Sequence, residues 1–378
     1  MAKVQVYYKG RRKRKNYAII PFLILLAVVA LTVVTFYSMQ KYAVITKESV
    51  SVELPILKDG TEAVIDSSGH VTRNFETVNA TIEYRDPDFT GMEAVAGDGL
   101  DGVRAIFVPA ADISRDRLMQ YAGRLVSGNA LVLEMKPRSG EILWETHSSI
   151  TTNYALDTPG DVAKAMPEII EMLKFQNVYL VAQISCCIDN TLPTRTSTFC
   201  LHTESGMNYS DGYGSWLDPY NIDVRKWVAE MAQELFDLGF DEVVLADVAH
   251  PVITEDMNVN LVYTRQMTTS PSVSVAVCGF ARYVAQELEN RDSGVLSIYV
   301  DSSDSLVRTD SPSGQNALAF FKVYDRVYLR TDKYSYSFNV DDVRYSLQKG
   351  NVYDRLVPVV INYIPDNTSW VLIDAEED

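Results

Sequence analysis

The sequence predicts an α/β protein whose main domain is a (β/α)8 TIM-type barrel, preceded by one transmembrane helix and a stalk. After residue 101, short apolar runs alternate with segments of helical periodicity, the pattern of β-α units around a parallel sheet. The segment 102–378, roughly 275 residues, matches the usual ~250-residue size of such a barrel. A long apolar segment near the N-terminus predicts the transmembrane helix.

Residues 17–38 are mainly apolar and contain no charged side chain. A membrane-spanning helix needs about 20 apolar residues, because the hydrocarbon core is roughly 30 Å thick. The core of a cleaved signal peptide has only about 7 to 15 apolar residues. We therefore predict a signal anchor here, with a cleaved signal peptide as the alternative.

The basic tail at residues 1–16 predicts the orientation of this helix. The tail contains Lys and Arg but no acidic residue, and such a bias keeps the N-terminus in the cytoplasm. We expect a single-pass protein of the cell membrane, with an extracytoplasmic C-terminal domain and the lipid bilayer as a partner of residues 17–38. The chain carries a net charge of -16, and its acidity outside the tail predicts no nucleic-acid partner.

Residues 39–101 contain short alternating stretches interrupted by Gly and Pro, which predict a stalk or linker with short strands. Eight strands are predicted in the barrel that follows: 103–108, 130–135, 178–184, 242–248, 295–300, 325–329, 356–361 and 370–373. The alternative, an open doubly wound sheet, needs a glycine-rich phosphate loop after its first strand. The residues after Val108 contain no glycine cluster.

The clearest predicted helix follows Asn221, where apolar residues recur at helical spacing, and Gly239 is its expected C-cap. A shorter helix is predicted to begin at Pro167, because proline suits the first helical position. Another helix is predicted over residues 271–288.

The four cysteines allow two alternatives, free thiols or one bridge that joins Cys186 or Cys187 to Cys200; the fourth is Cys278. No CxxC spacing supports a zinc site, and we predict neither a metal nor a cofactor.

Active sites of such barrels lie at the C-terminal ends of the strands. This rule selects Glu134 and Asp247 among the candidate site residues. Candidate substrate-binding residues come from strand ends and from the long loop after the third strand: Lys136, Asp189, Trp216, Asp218, Tyr220, His250 and Asp301. Arg330 and Asp332 follow the sixth strand.

Two motifs resemble a bacterial family of putative glycosyl hydrolases with a TIM-barrel domain. The segment 216–221 reads WLDPYN, and GFDE at 239–242 opens the fourth strand, as in the family pattern. Segment 133–142 is similar to the family's strand-two motif. The resemblance implies a glycoside-hydrolase-like barrel and a polysaccharide or glycan as partner.

The chain departs from the family pattern at its fourth strand, which usually ends in FDYVRFP. Ala246 replaces the Asp of that motif, Asp247 replaces the Tyr, and Ala249 replaces the Arg. In strand two, Glu134 replaces an Asp, and Arg138 lies where an acidic residue is common. The resemblance therefore implies a degenerate acidic site.

Glycoside hydrolysis generally needs two carboxyl groups, one held protonated and one ionised. We assign Glu134 as the acid and Asp247 as the nucleophile or base. Side chains alternate along a strand, so position 247 should face away from the interior unless it lies past the regular strand. Structural alternatives are an ion pair between Glu134 and Lys136, a helix-start role for Asp218, packing roles for Trp216 and Tyr220, and a structural His250.

The sequence thus predicts a membrane-anchored protein that acts on or binds polysaccharide of the cell envelope or the environment. The alternative is an inactive barrel that serves as a carbohydrate-binding or scaffolding module at the cell surface. A third possibility is a structural envelope protein unrelated to sugars, with a barrel mouth closed by apolar side chains. Protein partners are not predicted.

Overall fold

The structure is a computed structural model. It describes residues 100–125, 129–156, 160–254, 257, 259–263, 272–291, 293–301, 311–330, 355–362 and 369–373, together with four short strands nearer the N-terminus. The predicted tail at 1–16 and the predicted membrane span at 17–38 lie outside these residues. Within the described ranges, no helix combines the length and the apolar character needed to cross a bilayer.

The chain divides into two compact units, residues 1–80 and residues 81–378. The first contains two antiparallel strand pairs, Ala43–Ile45 with Val50–Val52 and Val64–Ile65 with Val71–Thr72. The predicted stalk at 39–101 is otherwise almost entirely outside the described residues and stays a prediction.

The second unit contains a closed barrel of eight parallel strands in chain order. Each strand pairs with the next, and the last pairs with the first. The predicted barrel is therefore confirmed, and its closure excludes the open doubly wound sheet. The strands are β1 Arg104–Val108, β2 Ala130–Lys136, β3 Tyr179–Ser185, β4 Glu242–Ala246, β5 Val295–Val300, β6 Arg326–Arg330, β7 Leu356–Ile361 and β8 Trp370–Ile373.

Alternation along the strands separates two apolar clusters. Residues such as Val132, Val181 and Val244 form a cluster within the barrel. Their neighbours on the opposite face, such as Leu133, join the larger cluster beneath the helices. The barrel interior is therefore a packed core rather than a pore.

The described ranges contain four long helices, which pack outside the barrel: α1 Arg115–Gly123, α2 Asp161–Phe175, α3 Ile222–Leu238 and α4 Val273–Glu287. Helix α3 begins and ends as predicted. The Asn221 side chain accepts hydrogen bonds from the amides of Asp223 and Val224, and Gly239 has a φ of 111° in the left-handed region. Short helices lie at Ala110–Asp112, Ser149–Asn153, Leu192–Arg195 and Ala317–Phe320.

The prediction that a helix begins at Pro167 is wrong. Helix α2 begins at Asp161 and contains Pro167 in its interior. Ala163 and Met166, which precede the proline, are buried on the same face as Leu173. Burial of this longer apolar face outweighs the loss of one backbone hydrogen bond at the proline.

A buried polar cluster occupies the N-terminal end of the barrel interior. The Glu242 carboxylate accepts hydrogen bonds from Arg326 Nη1 at 2.5 Å, Tyr328 Oη at 2.8 Å, Ser297 Oγ at 2.6 Å and Tyr179 Oη at 3.0 Å. Glu242 and Arg326 are almost completely buried. The cluster therefore contains a solvent-excluded ion pair whose carboxylate is fully hydrogen-bonded.

All four cysteines are buried free thiols, so the bridge to Cys200 is absent from the structure.

Candidate active site

The C-terminal ends of the strands surround a cavity of about 340 Å³. This size falls within the usual range of small-ligand pockets, ~300 to 1,000 Å³. Among the described residues, the mouth carries charged and polar side chains and is not closed by apolar ones. Its lining residues are Phe107, Glu134, Arg138, Gln183, Ser185, Ala246, Asp247, Tyr299, Asp301, Arg330, Val359 and Ile373.

Glu134 reaches the cavity from β2, on the same face of the strand as the inward-pointing Val132. Its Oε2 accepts a hydrogen bond of 3.0 Å from the Ala110 amide. Burial raises the pKa of Glu134, and the nearby negative charge of Asp247 raises it further. Glu134 thus has an environment that favours a protonated carboxyl.

Asp247 also lines the cavity, although it follows the inward-facing Ala246 directly. Strand β4 ends at Ala246, and Asp247 has a φ of 56°. The left-handed backbone interrupts the alternation of the strand, and Asp can adopt this conformation because its short polar side chain bonds locally. The condition that position 247 lies past the regular strand is therefore met.

The Asp247 carboxylate is held by two neighbours. Arg138 donates from Nε to Oδ2 at 3.0 Å and from Nη2 to Oδ1 at 2.5 Å, and Ser185 Oγ donates to Oδ2 at 2.7 Å. Asp247 is buried and the Arg138 side chain is one-third exposed. The arrangement is a two-pronged ion pair, the geometry in which Arg binds a carboxylate most strongly.

The sequence prediction did not include Arg138 or Ser185 among the site residues. In the sequence, Arg138 is only a departure from the family pattern, whereas Asp247 is both a departure and a candidate catalytic residue. The structure shows that these two departures contact each other. Two charge changes of opposite sign at the ends of β2 and β4, which both lie beside β3, were the signal that could have indicated the pair.

Asp301 follows β5 and lines the same cavity. Its amide donates a hydrogen bond of 3.0 Å to Gln315 Oε1. Asp301 is open to solvent at the cavity, but the protein on its other sides desolvates the carboxyl group. This desolvation and the charge of Asp247 raise the pKa of Asp301 to about 6, despite the opposing effect of Arg138 and Arg330.

The raised pKa of Asp301 predicts a pH-dependent stability difference. A carboxyl whose pKa rises on folding stabilises the fold most below its unfolded pKa, here 3.8, and this contribution is lost as the pH rises through about 6. The uncharged variant Asp301→Asn should therefore gain thermal stability relative to the wild type between about pH 4 and pH 7. Thermal midpoints measured across this range test the prediction. Asp116→Asn, at an exposed position of α1, is the control. If the thermal midpoints of Asp301→Asn and the wild type changed in parallel with pH, the prediction would be contradicted.

Lys136 and Asp189 are paired with each other outside the cavity. Lys136 Nζ lies 2.8 Å from Asp189 Oδ2, and both side chains are buried. Lys136 also donates to the carbonyl of Ser185 at 2.9 Å and lies 5.3 Å from the centre of the Trp227 ring. The ion partner of Lys136 is thus Asp189 rather than Glu134.

Trp216 and Asp218 do not line the cavity either. Trp216 is buried and donates from Nε1 to Asp211 Oδ2 at 2.8 Å. Asp218 is buried, and its Oδ1 accepts a hydrogen bond from the Tyr220 amide at 2.8 Å, ahead of helix α3. The structure therefore places these residues inside the loop that precedes α3.

Tyr220 and His250 pack against Tyr263, with ring centres 6.1 Å and 6.0 Å away. Nδ1 of His250 lies 2.9 Å from the Pro251 carbonyl oxygen, and burial lowers the pKa of His250 to about 4. Both residues are outside the cavity lining. Of the candidates, the structure brings together only Glu134, Asp247 and Asp301, with Arg330; Asp332 is outside the described residues.

Within the described ranges, no group of three or more His, Cys, Asp or Glu side chains is arranged to hold a metal ion.

A parallel eight-stranded barrel presents its functional side chains at the C-terminal mouth, and glycoside hydrolases generally use a pair of carboxyl groups. The model of the putative glycosyl hydrolase domain family matches residues 105–328, which is more than half of the chain. The chain therefore belongs to this family.

The chain is also similar to three solved structures. A hypothetical protein from Ruminiclostridium thermocellum is 18% identical, with a TM-score of 0.42; the match covers 51% of this chain and 96% of that one. The α-galactosidase TtGalA from Thermus thermophilus is 12% identical, with a TM-score of 0.39 and coverage of 60% and 41%. A cycloalternan-degrading enzyme from Trueperella pyogenes is 9% identical, with a TM-score of 0.47 and coverage of 76% and 45%.

The match thus spans nearly all of the first structure and less than half of each enzyme. Among curated proteins, none matches this chain.

Proposed function

We propose that this protein is anchored in the cell membrane and that its extracytoplasmic barrel binds a polysaccharide and hydrolyses its glycosidic bonds. The observation that carries the proposal is the pairing of two unlike carboxyl groups in one cavity. Glu134 has a raised pKa, whereas Asp247 is in an ion pair with Arg138. When two carboxyl groups in one site have such different environments, the buried one is suited to act as an acid and the ion-paired one to act as a carboxylate.

In the proposed reaction, Glu134 donates a proton to the oxygen of the scissile bond. As a base, the ionised Asp247 takes a proton from the water that attacks the sugar as the glycosidic bond breaks. As a nucleophile, it forms a glycosyl ester with the sugar, which water then hydrolyses while Glu134, now ionised, takes the proton of that water. Both roles require the carboxylate to face the reacting carbon, and the left-handed backbone at Asp247 turns it toward the cavity. Arg138 and Ser185 would position Asp247 for this step.

The membrane anchor is supported by the apolar residues 17–38 and the basic residues before them. With this topology the barrel would meet polysaccharide of the cell envelope or of the environment. Treatment of intact cells with an external protease tests the orientation, because only an exported barrel would be degraded.

A second candidate function is glycan binding without hydrolysis. The observation that favours it is that both carboxylate oxygens of Asp247 already accept hydrogen bonds, from Arg138 and Ser185. In addition, the inward-facing position of β4 that carries Asp in the family pattern carries Ala246 here. A scaffold protein that handles glycans would retain the cavity and need no free nucleophile.

One experiment distinguishes the two functions. The full-length chain, purified in detergent micelles, is incubated with xylo-, cello-, chito- and galacturono-oligosaccharides, and both reducing-sugar release and binding are measured. If the wild type releases reducing sugar and the double variant Glu134→Gln, Asp247→Asn does not, the result supports the hydrolase. Binding without release supports the inactive barrel, and a folded protein that does neither contradicts both proposals.

A further inference from the structure

We propose that Tyr213 and Arg138 form a sugar-binding subsite at the rim of the cavity, on which one unit of the glycan stacks. This inference rests on the proposed function, since it assumes that the cavity takes a glycan. Tyr213 is 64% exposed, so its ring is accessible to a ligand. The Arg138 guanidinium, which lines the cavity, lies 5.2 Å from the centre of the Tyr213 ring.

The backbone around Tyr213 is a small hairpin with internal support. Strand Ser210–Asp211 pairs with strand Gly214–Ser215. The Asp211 carboxylate accepts a hydrogen bond from the Tyr213 amide at 2.8 Å and another from Trp216 Nε1 at 2.8 Å. Trp216, one of the two aromatic residues selected from the sequence, therefore helps to hold the turn that displays Tyr213.

The hairpin is also tied to the loop that carries Arg138. The Asn190 amide donates to the Arg138 carbonyl at 3.0 Å, and Asn190 Oδ1 accepts from the Ser215 amide at 2.9 Å. Gly214 has a φ of 137°, and a Cβ atom there would lie 2.8 Å from Asn190 Oδ1. Glycine at position 214 thus permits the close approach of the hairpin to Asn190. Asn190 therefore supports both the hairpin that carries Tyr213 and the backbone at Arg138.

The two side chains offer complementary chemistry to a sugar. A Tyr ring provides a rigid apolar face with few rotatable bonds to immobilise. Arg138 uses Nε and Nη2 for Asp247, and its Nη1 makes no hydrogen bond within the described part of the chain. Nη1 can therefore donate to hydroxyl or carboxylate oxygens of a sugar unit in the cavity. The face of the Tyr213 ring that Arg138 does not cover is available for stacking of the adjacent sugar unit.

The test measures the affinity of the full-length chain in detergent micelles for the same four classes of oligosaccharide. Tyr213→Ala should weaken binding about tenfold, the scale expected for truncation of a well-placed aromatic anchor. Tyr213→Phe keeps the ring and should bind nearly as well as the wild type. Phe175→Ala is the matched control, because Phe175 is 90% exposed and ends helix α2 just before β3 begins, at the opposite end of the barrel.

The outcomes separate this inference from the function on which it rests. If the wild type binds an oligosaccharide and Tyr213→Ala binds it equally well, the subsite is overturned and the proposed function stands. If the wild type binds none of them, both are overturned. A loss in Tyr213→Ala with unchanged binding in Phe175→Ala and an unchanged thermal midpoint supports the subsite.

Discussion

Glu134→Gln is expected to lower the rate of glycan hydrolysis by about 100- to 10,000-fold, the usual contribution of a positioned general acid. Gln is nearly isosteric with Glu and retains an oxygen that can accept the hydrogen bond from the Ala110 amide. The substitution therefore removes the ionisable proton while the local structure is kept. Reducing-sugar release by the two proteins, compared at equal concentration, measures the effect.

Two further measurements distinguish proton donation from a structural role of Glu134. On an aryl glycoside, whose phenolate leaves without much protonation, the loss in Glu134→Gln should be far smaller. Glycan affinity should change little. Glu141→Gln, at an exposed position of the loop that follows β2, is the matched control and should retain full activity. Equal losses on natural and aryl substrates would refute the acid role.

Glu242→Gln is expected to destabilise the barrel by about 3–5 kcal/mol, because it leaves the buried Arg326 without its charged partner. For a domain of this size such a loss lowers the thermal midpoint by roughly 10 °C. The cost is large because Arg326 is buried, and water cannot solvate the guanidinium that the substitution leaves without its charged partner. Thermal unfolding of the full-length chain, followed by circular dichroism, measures the shift.

The control for Glu242→Gln is a surface pair of similar geometry. Arg115 Nη1 lies 2.8 Å from Glu168 Oε1, but both side chains are more than half exposed. Exposed pairs contribute about 0–1 kcal/mol, so Glu168→Gln should barely change the midpoint. Similar midpoints for the two variants would show that the interior pair does not stabilise the barrel.

Most of the barrel could be predicted from the sequence because its strands are buried on both faces. Such strands form continuous apolar runs, which are visible without knowledge of the neighbours. The error at Pro167 came from a local rule. Proline suits a helix start, but the burial of Ala163 and Met166 extends α2 towards its N-terminus.

The candidate site was predicted less completely. Glu134 and Asp301 follow from alternation and from the rule that sites lie at strand ends. Lys136 satisfied the same rule, yet it pairs with Asp189 outside the cavity, beside Trp227. Strand position alone does not show whether a long side chain turns toward the mouth or toward the helices.

The sequence by itself determined the fold class and the strand ends that carry carboxyl groups, because these depend on local composition and spacing. The family was indicated by the resemblance of its motifs. Only the tertiary structure decided which charges meet. The Arg138–Asp247 pair joins residues from different strand ends, and it depends on a left-handed backbone at Asp247. The position of Tyr213 over Arg138 likewise depends on contacts between separate loops. Such contacts arise from chain packing in three dimensions, and residue spacing does not encode them.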